Sequence, residues 1–98
     1  ITPKELLKKF NSPKYIDFVD VDAEGSDMNI LESWPWDEYE VELFCIEFAM
    51  GKEILKEFML NKDYVLWAET GGNHLYCRKE DTEKYLGFQK IIASLGDR

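Results

Sequence analysis

The stretch Tyr15–Gly25, YIDFVDVDAEG, decides the fold of this chain. Its first residues are mostly β-branched or aromatic, which favours a strand over Tyr15–Val21. Asp20, Asp22 and Glu24 then follow at intervals of two, and a glycine after them allows a sharp turn. Because side chains two apart in a strand share a face, the stretch predicts an acidic cluster at the carboxyl end of a strand. Open α/β sheets bind their ligands at that edge.

A second strand is predicted over Val41–Ala49, where the residues VELFCIEFA are nearly all apolar. Such a run is typical of a strand that is covered on both faces, as in parallel sheets. If the two strands are parallel neighbours about 5 Å apart, Asp22, Glu24 and Glu47 converge on one cleft. An isolated buried carboxylate is costly, so we expect Glu47 to meet a cation, a metal or a ligand donor, or to lie in water at the strand end.

The rest of the chain predicts four helices and one antiparallel hairpin. The order strand–helix–strand implies that the first two strands are parallel and are joined by a right-handed crossover. Two apolar runs around a Gly-Gly pair indicate the hairpin. The predicted helices cover Ile1–Asn11, Ser26 or Asp27 to Ser33, Lys52–Leu60 and Asp81–Leu95, and the hairpin strands cover Tyr64–Glu69 and His74–Lys79.

Length and charge limit the classes of function. With 98 residues, 45% of them hydrophobic, the chain forms one small domain or a piece of a larger one. A net charge of −8 argues against binding to nucleic acid or to an anionic membrane, because both require a basic surface. The charge is compatible with a small-molecule site, a cation site or a basic protein partner.

The two cysteines, Cys45 and Cys77, lie in apolar stretches without a CxxC pair or clustered histidines. This setting favours buried free thiols and therefore a reducing, cytoplasmic compartment, with a disulfide as the alternative.

Three stretches in order resemble the carboxyl-terminal half of the FkbM-type S-adenosylmethionine-dependent methyltransferases. Members of that family typically show an IDFLKIDVEG stretch, a strand that ends in Glu, and a final hairpin with an Asn and a basic end. The counterparts here are IDFVDVDAEGSDMNIL, LFCIEF and ETGGNHLYCRK. Two positions depart from the family pattern: Ala23 replaces the usual Val, and Asp20 stands where Lys is common.

The resemblance implies an α/β fold that is part of a Rossmann-like class I methyltransferase sheet. Residues 1–98 would form a single partial domain that supplies the fourth to seventh strands. It also implies methyl transfer to a hydroxyl of a sugar or natural product. Asp22, Glu24 and Glu47 would then be catalytic, with one of them as general base, or with Asp22 and Glu47 holding a divalent metal such as Mg²⁺. Asp20, Asn73 and His74 would border the acceptor.

The cofactor half of such a domain is absent from this sequence. No G-x-G-x-x-G stretch is present, so we expect S-adenosylmethionine to be bound by a complete domain and not by this chain alone. The first strand would then lack its usual neighbour, and a bare strand edge invites pairing. We therefore expect a homodimer, strand exchange or docking onto the missing amino-terminal half.

A second class of function also fits the composition. A small acidic α/β protein without enzymatic activity could bind a basic protein partner, as immunity proteins and inhibitors do. The segment encoded upstream of Ile1 would distinguish the two hypotheses.

Overall fold

A computed structural model of the chain describes residues 2–22, 27–47, 51–85 and 87. Three helices and four strands alternate along these residues, and a 3₁₀ turn at Lys79–Asp81 leads into helical residues 82–85. The helices are α1 (Pro3–Lys9), α2 (Asp27–Ser33) and α3 (Lys52–Asn61), and the strands are β1 (Tyr15–Val21), β2 (Glu40–Glu47), β3 (Tyr64–Thr70) and β4 (Asn73–Arg78).

The strands form one mixed sheet in the order β1-β2-β4-β3. Strands β1 and β2 are parallel, β3 and β4 form an antiparallel hairpin, and β4 lies antiparallel to β2. The predicted α/β architecture of two parallel strands, an antiparallel hairpin and flanking helices is thus confirmed. Among the helices of the described residues, none combines the length and apolar character that crossing a bilayer demands.

Most element bounds agree with the sequence prediction, and β1 agrees at both ends. The first helix is shorter than predicted, because Asn11 takes a left-handed conformation with φ of 52° and stops the helical path. Thr2 caps this helix as expected and accepts a hydrogen bond from the Glu5 amide at 3.2 Å. The predicted end of the second strand at 48–49 and most of the closing helix, at 86 and 88–95, lie outside the described residues.

The core occupies the sheet face that α2 and α3 cover. Trp36 contacts three aromatic rings there, with centroid separations of 5.5 Å to Phe44, 5.8 Å to Tyr64 and 6.1 Å to Phe58. Tilted and edge-on rings at such separations add to the stabilisation that apolar burial provides. Fully buried residues on this face of β2 and β4 complete the layer: Phe44, Ile46, His74 and Tyr76. This packing fixes β2 in the middle of the sheet and so fixes where its carboxyl end lies.

Candidate acidic site at the carboxyl edge

Asp22 and Glu47 lie side by side at one edge of the sheet. In the parallel register Val21 pairs with Ile46, so the next position brings Asp22 beside Glu47. Neighbouring strands are about 4.8 Å apart, which brings the two carboxylates within reach of one small ligand. The register thus places the two residues at adjacent positions, and their convergence on one cleft stays a prediction. Glu24, the third predicted acid, lies outside the described residues.

The same row continues across the hairpin. Glu47 pairs with Asn73 in the antiparallel ladder, and Asn73 pairs in turn with Thr70. Directly opposed residues of a ladder share a face. Four polar residues therefore follow one another across the sheet, and we call them the carboxyl-edge row: Asp22 directly after β1, Glu47 in β2, Asn73 in β4 and Thr70 in β3. Sequence analysis missed Thr70, although a two-residue turn at Gly71-Gly72 already implies that Thr70 and Asn73 face each other.

Asp20 lies two residues before Asp22 in the chain and pairs with Cys45. The Cys45 thiol therefore lies beside Asp20 on the same face of the sheet. Burial raises the pKa of this thiol, and the negative charges of Asp20 and Asp22 raise it further. Cys45 is consequently a protonated thiol beside the row, and both cysteines are free as predicted.

His74 points to the opposite face from the carboxyl-edge row. It pairs with Ile46 and Glu69, and its side chain is fully buried in the core. Its Nδ1 atom lies 3.0 Å from the Tyr76 hydroxyl, and its Nε2 atom lies 3.5 Å from Glu69 Oε1. Burial lowers the pKa of the imidazole, which favours its neutral form. Asn73 and His74 were both predicted to border the acceptor, but they lie on opposite faces of the sheet. Asn73 lies beside Glu47, and His74 lies in the core.

The described residues do not assemble a metal centre. No group of three or more His, Cys, Asp or Glu side chains in ranges 2–22, 27–47 and 51–85 has a geometry suited to a cation. Mg²⁺ is commonly bound through one or two carboxylates with water and substrate oxygens. Binding of a divalent metal by Asp22 and Glu47 therefore stays a prediction.

A second ionic cluster, which sequence analysis missed, surrounds Glu42. Its carboxylate accepts hydrogen bonds from the Tyr15 hydroxyl at 2.7 Å and the Tyr85 hydroxyl at 2.8 Å, and Lys84 Nζ lies 3.4 Å away. The two phenol hydrogen bonds lower the pKa of Glu42 to about 2. Glu42 interrupts the apolar strand just as Glu47 does, and that signal could have identified it.

A cleft of about 1000 Å³ opens at the amino-terminal ends of β1 and β2, opposite the carboxyl-edge row. Lys14 Nζ lies 4.4 Å from the centroid of the Tyr39 ring at this end. Arg78 donates a hydrogen bond of 2.7 Å to Glu40 across the cleft. None of the site residues predicted from sequence lines it.

Comparison with family models, with curated proteins and with solved structures found no protein similar to this chain.

Proposed function

We propose that this chain is the acceptor-side half of an S-adenosylmethionine-dependent O-methyltransferase acting on a hydroxyl of a sugar or natural product. The observation that carries the proposal is the carboxyl-edge row, in which Asp22 and Glu47 come from adjacent parallel strands. Ligands of open α/β sheets bind at that edge, and carboxylates there are suited to accept the proton of a hydroxyl.

The sheet supports the proposal at a coarser level. The resemblance assigns β1 to β4 to the fourth to seventh strands of a class I methyltransferase sheet. Two parallel strands followed by an antiparallel hairpin in one sheet are compatible with that assignment.

The side chains of the row have separate tasks in the proposed reaction. Asp22 or Glu47 would accept the proton of the acceptor hydroxyl and so make its oxygen a nucleophile for the methyl group that the bound cofactor would supply. Asn73, which pairs with Glu47, holds the acceptor by hydrogen bonding and keeps its oxygen in line. The cofactor, bound by the rest of a complete domain, supplies a methyl group made electrophilic by its sulfonium.

The test is methyl transfer by the protein expressed from its complete reading frame. Transfer of labelled methyl from S-adenosylmethionine to a panel of sugar and natural-product hydroxyls is measured for wild type, Asp22→Asn and Glu47→Gln. Loss of the general base is expected to lower kcat by about 10²-fold or more in one of the two variants, with little change in the KM for the cofactor.

The matched control is Glu32→Gln, which removes an exposed carboxylate from α2, away from the row. Its turnover is expected to equal that of wild type. Turnover near the wild-type level in both Asp22→Asn and Glu47→Gln would contradict the assigned roles, and no methyl transfer to any acceptor would contradict the activity itself.

A further inference from the structure

The cleft of about 1000 Å³ at the end of the sheet opposite the carboxyl-edge row, which we call the amino-edge cleft, is large enough for a small molecule. Its walls come mainly from the loops before β2 and β3 and after β4, and the lining residues are Lys14, 36–40, 61–64 and 78–80. Two backbone hydrogen bonds of 2.8 Å join these segments, from the Glu40 amide to the Lys14 carbonyl and from the Lys79 amide to the Asp63 carbonyl. The cleft is thus formed between strands that are already paired, and none of the acids of the carboxyl-edge row belongs to it.

The aromatic wall of the cleft is the half-buried ring of Trp36. Its indole N–H donates a hydrogen bond of 2.9 Å to the Leu31 carbonyl, and its ring packs on Phe44 and Tyr64. The ring is therefore held in one orientation before a ligand binds, so that binding costs little conformational entropy at this position.

The charges that line the cleft nearly cancel. Among the residues that the structure describes, four cationic and five acidic side chains line it. Two of the acids are neutralised by close ion pairs: Arg78 Nη1 lies 2.7 Å from Glu40 Oε1, and Lys4 Nζ lies 2.8 Å from Glu38 Oε1. A lining of this kind favours neither a strongly anionic nor a strongly cationic ligand.

Charged groups of both signs remain in the cleft without an ionic partner. The groups that form no ion pair with any residue in the described part of the chain are Lys14, Lys62, Lys79, Asp37 and Asp63. An ammonium group only donates hydrogen bonds and a carboxylate only accepts them, whereas a hydroxyl does both. A neutral ligand with several neighbouring hydroxyls satisfies both kinds of group at once.

Asp63 is held in this cleft against its local backbone preference. It follows the Lys62 cap of α3 with φ of 66°, a left-handed conformation in which glycine is favoured. Its carboxylate also lies at the carboxyl end of a helix, where the helix dipole disfavours negative charge. Residues held in such conformations cluster at ligand sites, and this one faces a cleft.

We propose that the amino-edge cleft binds a neutral saccharide. The C–H face of a sugar ring lies on Trp36, because the partly positive C–H groups meet the negative face of the indole. The sugar hydroxyls donate hydrogen bonds to Asp63 and accept them from Lys62 and Lys79. This site is separate from the carboxyl-edge row and does not rest on the proposed methyl transfer.

The experiment is a titration of the isotope-labelled 98-residue chain with glucose, galactose, N-acetylglucosamine, maltose, cellobiose and lactose, followed by heteronuclear NMR. At least one sugar is expected to shift the Trp36 indole and the Asp63 and Lys79 amide signals in a saturable way. Asp63→Gly should raise the midpoint of thermal unfolding, because glycine suits this φ, and should weaken binding of that sugar about three- to tenfold.

The matched control is Asn11→Gly. Asn11 follows α1 with φ of 52°, so it has the same kind of backbone conformation, but it does not line the cleft. This variant should also unfold at a higher temperature, and it should bind the sugar as wild type does.

The absence of a saturable shift with every one of these sugars would overturn the proposal, and so would unchanged affinity in Asp63→Gly. A sugar that shifts the Glu47 and Asn73 amides and leaves the cleft signals in place would belong to the carboxyl-edge row and would overturn it as well. Inorganic phosphate is titrated in parallel, and shifts of the cleft signals by phosphate alone would show an anion site in place of a sugar site.

Discussion

At the scale of single residues, two polar side chains of the sheet are satisfied by phenol hydroxyls. Glu42 accepts hydrogen bonds from Tyr15 and Tyr85, and His74 meets Tyr76. Hydrogen bonds to a charged group are stronger than those between neutral groups, and a buried group that loses its partner is costly. The Glu42 cluster joins β1, β2 and the start of the closing helix, which gives it a structural role.

Replacing Glu42 with Gln removes this charge and is expected to lower the free energy of unfolding by about 1–3 kcal/mol at pH 7. The pKa of Glu42 in the folded protein is about 2, below its ordinary value of 4.5. Its contribution to stability is therefore present above pH 4.5 and lost as the pH falls towards 2. Urea unfolding of wild type and Glu42→Gln at several pH values should show the two stabilities converging over that range.

The control for this prediction is Glu80→Gln. Glu80 also lies near Arg78, at 3.7 Å, but its side chain is 70% exposed, so the change should stay within about 0.5 kcal/mol. An equal loss of stability in both variants would contradict the role assigned to the cluster. So would a difference in free energy of unfolding between wild type and Glu42→Gln that persists down to pH 2.

At the scale of elements, the sequence predicts strands better than it predicts side-chain direction. The bounds of β1 follow from its β-branched and aromatic residues, and both agree with the structure. His74 is buried because, as the second residue of β4, it faces the core. Which face it takes depends on the register of the whole hairpin, which the local sequence does not give. The register of β3 shifts between Leu66 and Ala68, where Trp67 lies opposite no residue, and no local signal in VLWAE indicates such a bulge.

The tight turn of the hairpin gives a prediction at this scale. Gly71 has φ of 58°, a left-handed conformation that strains any residue with a Cβ, whereas Gly72 has no such φ. Gly71→Ala is expected to lower the free energy of unfolding by about 1 kcal/mol, and Gly72→Ala is expected to be neutral or stabilising. Open space surrounds both positions, so steric clash does not enter the comparison. Equal losses in thermal unfolding of the two variants would contradict the turn geometry.

At the scale of the whole molecule, the sheet order determines both proposals. Placing β4 between β2 and β3 brings Asn73 beside Glu47 at one end of the sheet and Arg78 beside Glu40 in the amino-edge cleft at the other. The parallel pairing of β1 and β2 could be predicted from the strand–helix–strand pattern, and so could the meeting of Asp22 and Glu47. The insertion of β4 beside β2 could not be predicted from the local pattern, because a hairpin can add to a sheet by either of its strands.

The carboxyl-edge row can be tested by cross-strand nuclear Overhauser effects in the 98-residue chain. We expect contacts between the backbone protons of Val21 and Ile46 and between those of Glu47 and Asn73, in the pattern of one parallel and one antiparallel pair. Contacts of β2 with β3 in place of β4, or of β1 with either hairpin strand, would show that the four residues do not form this row.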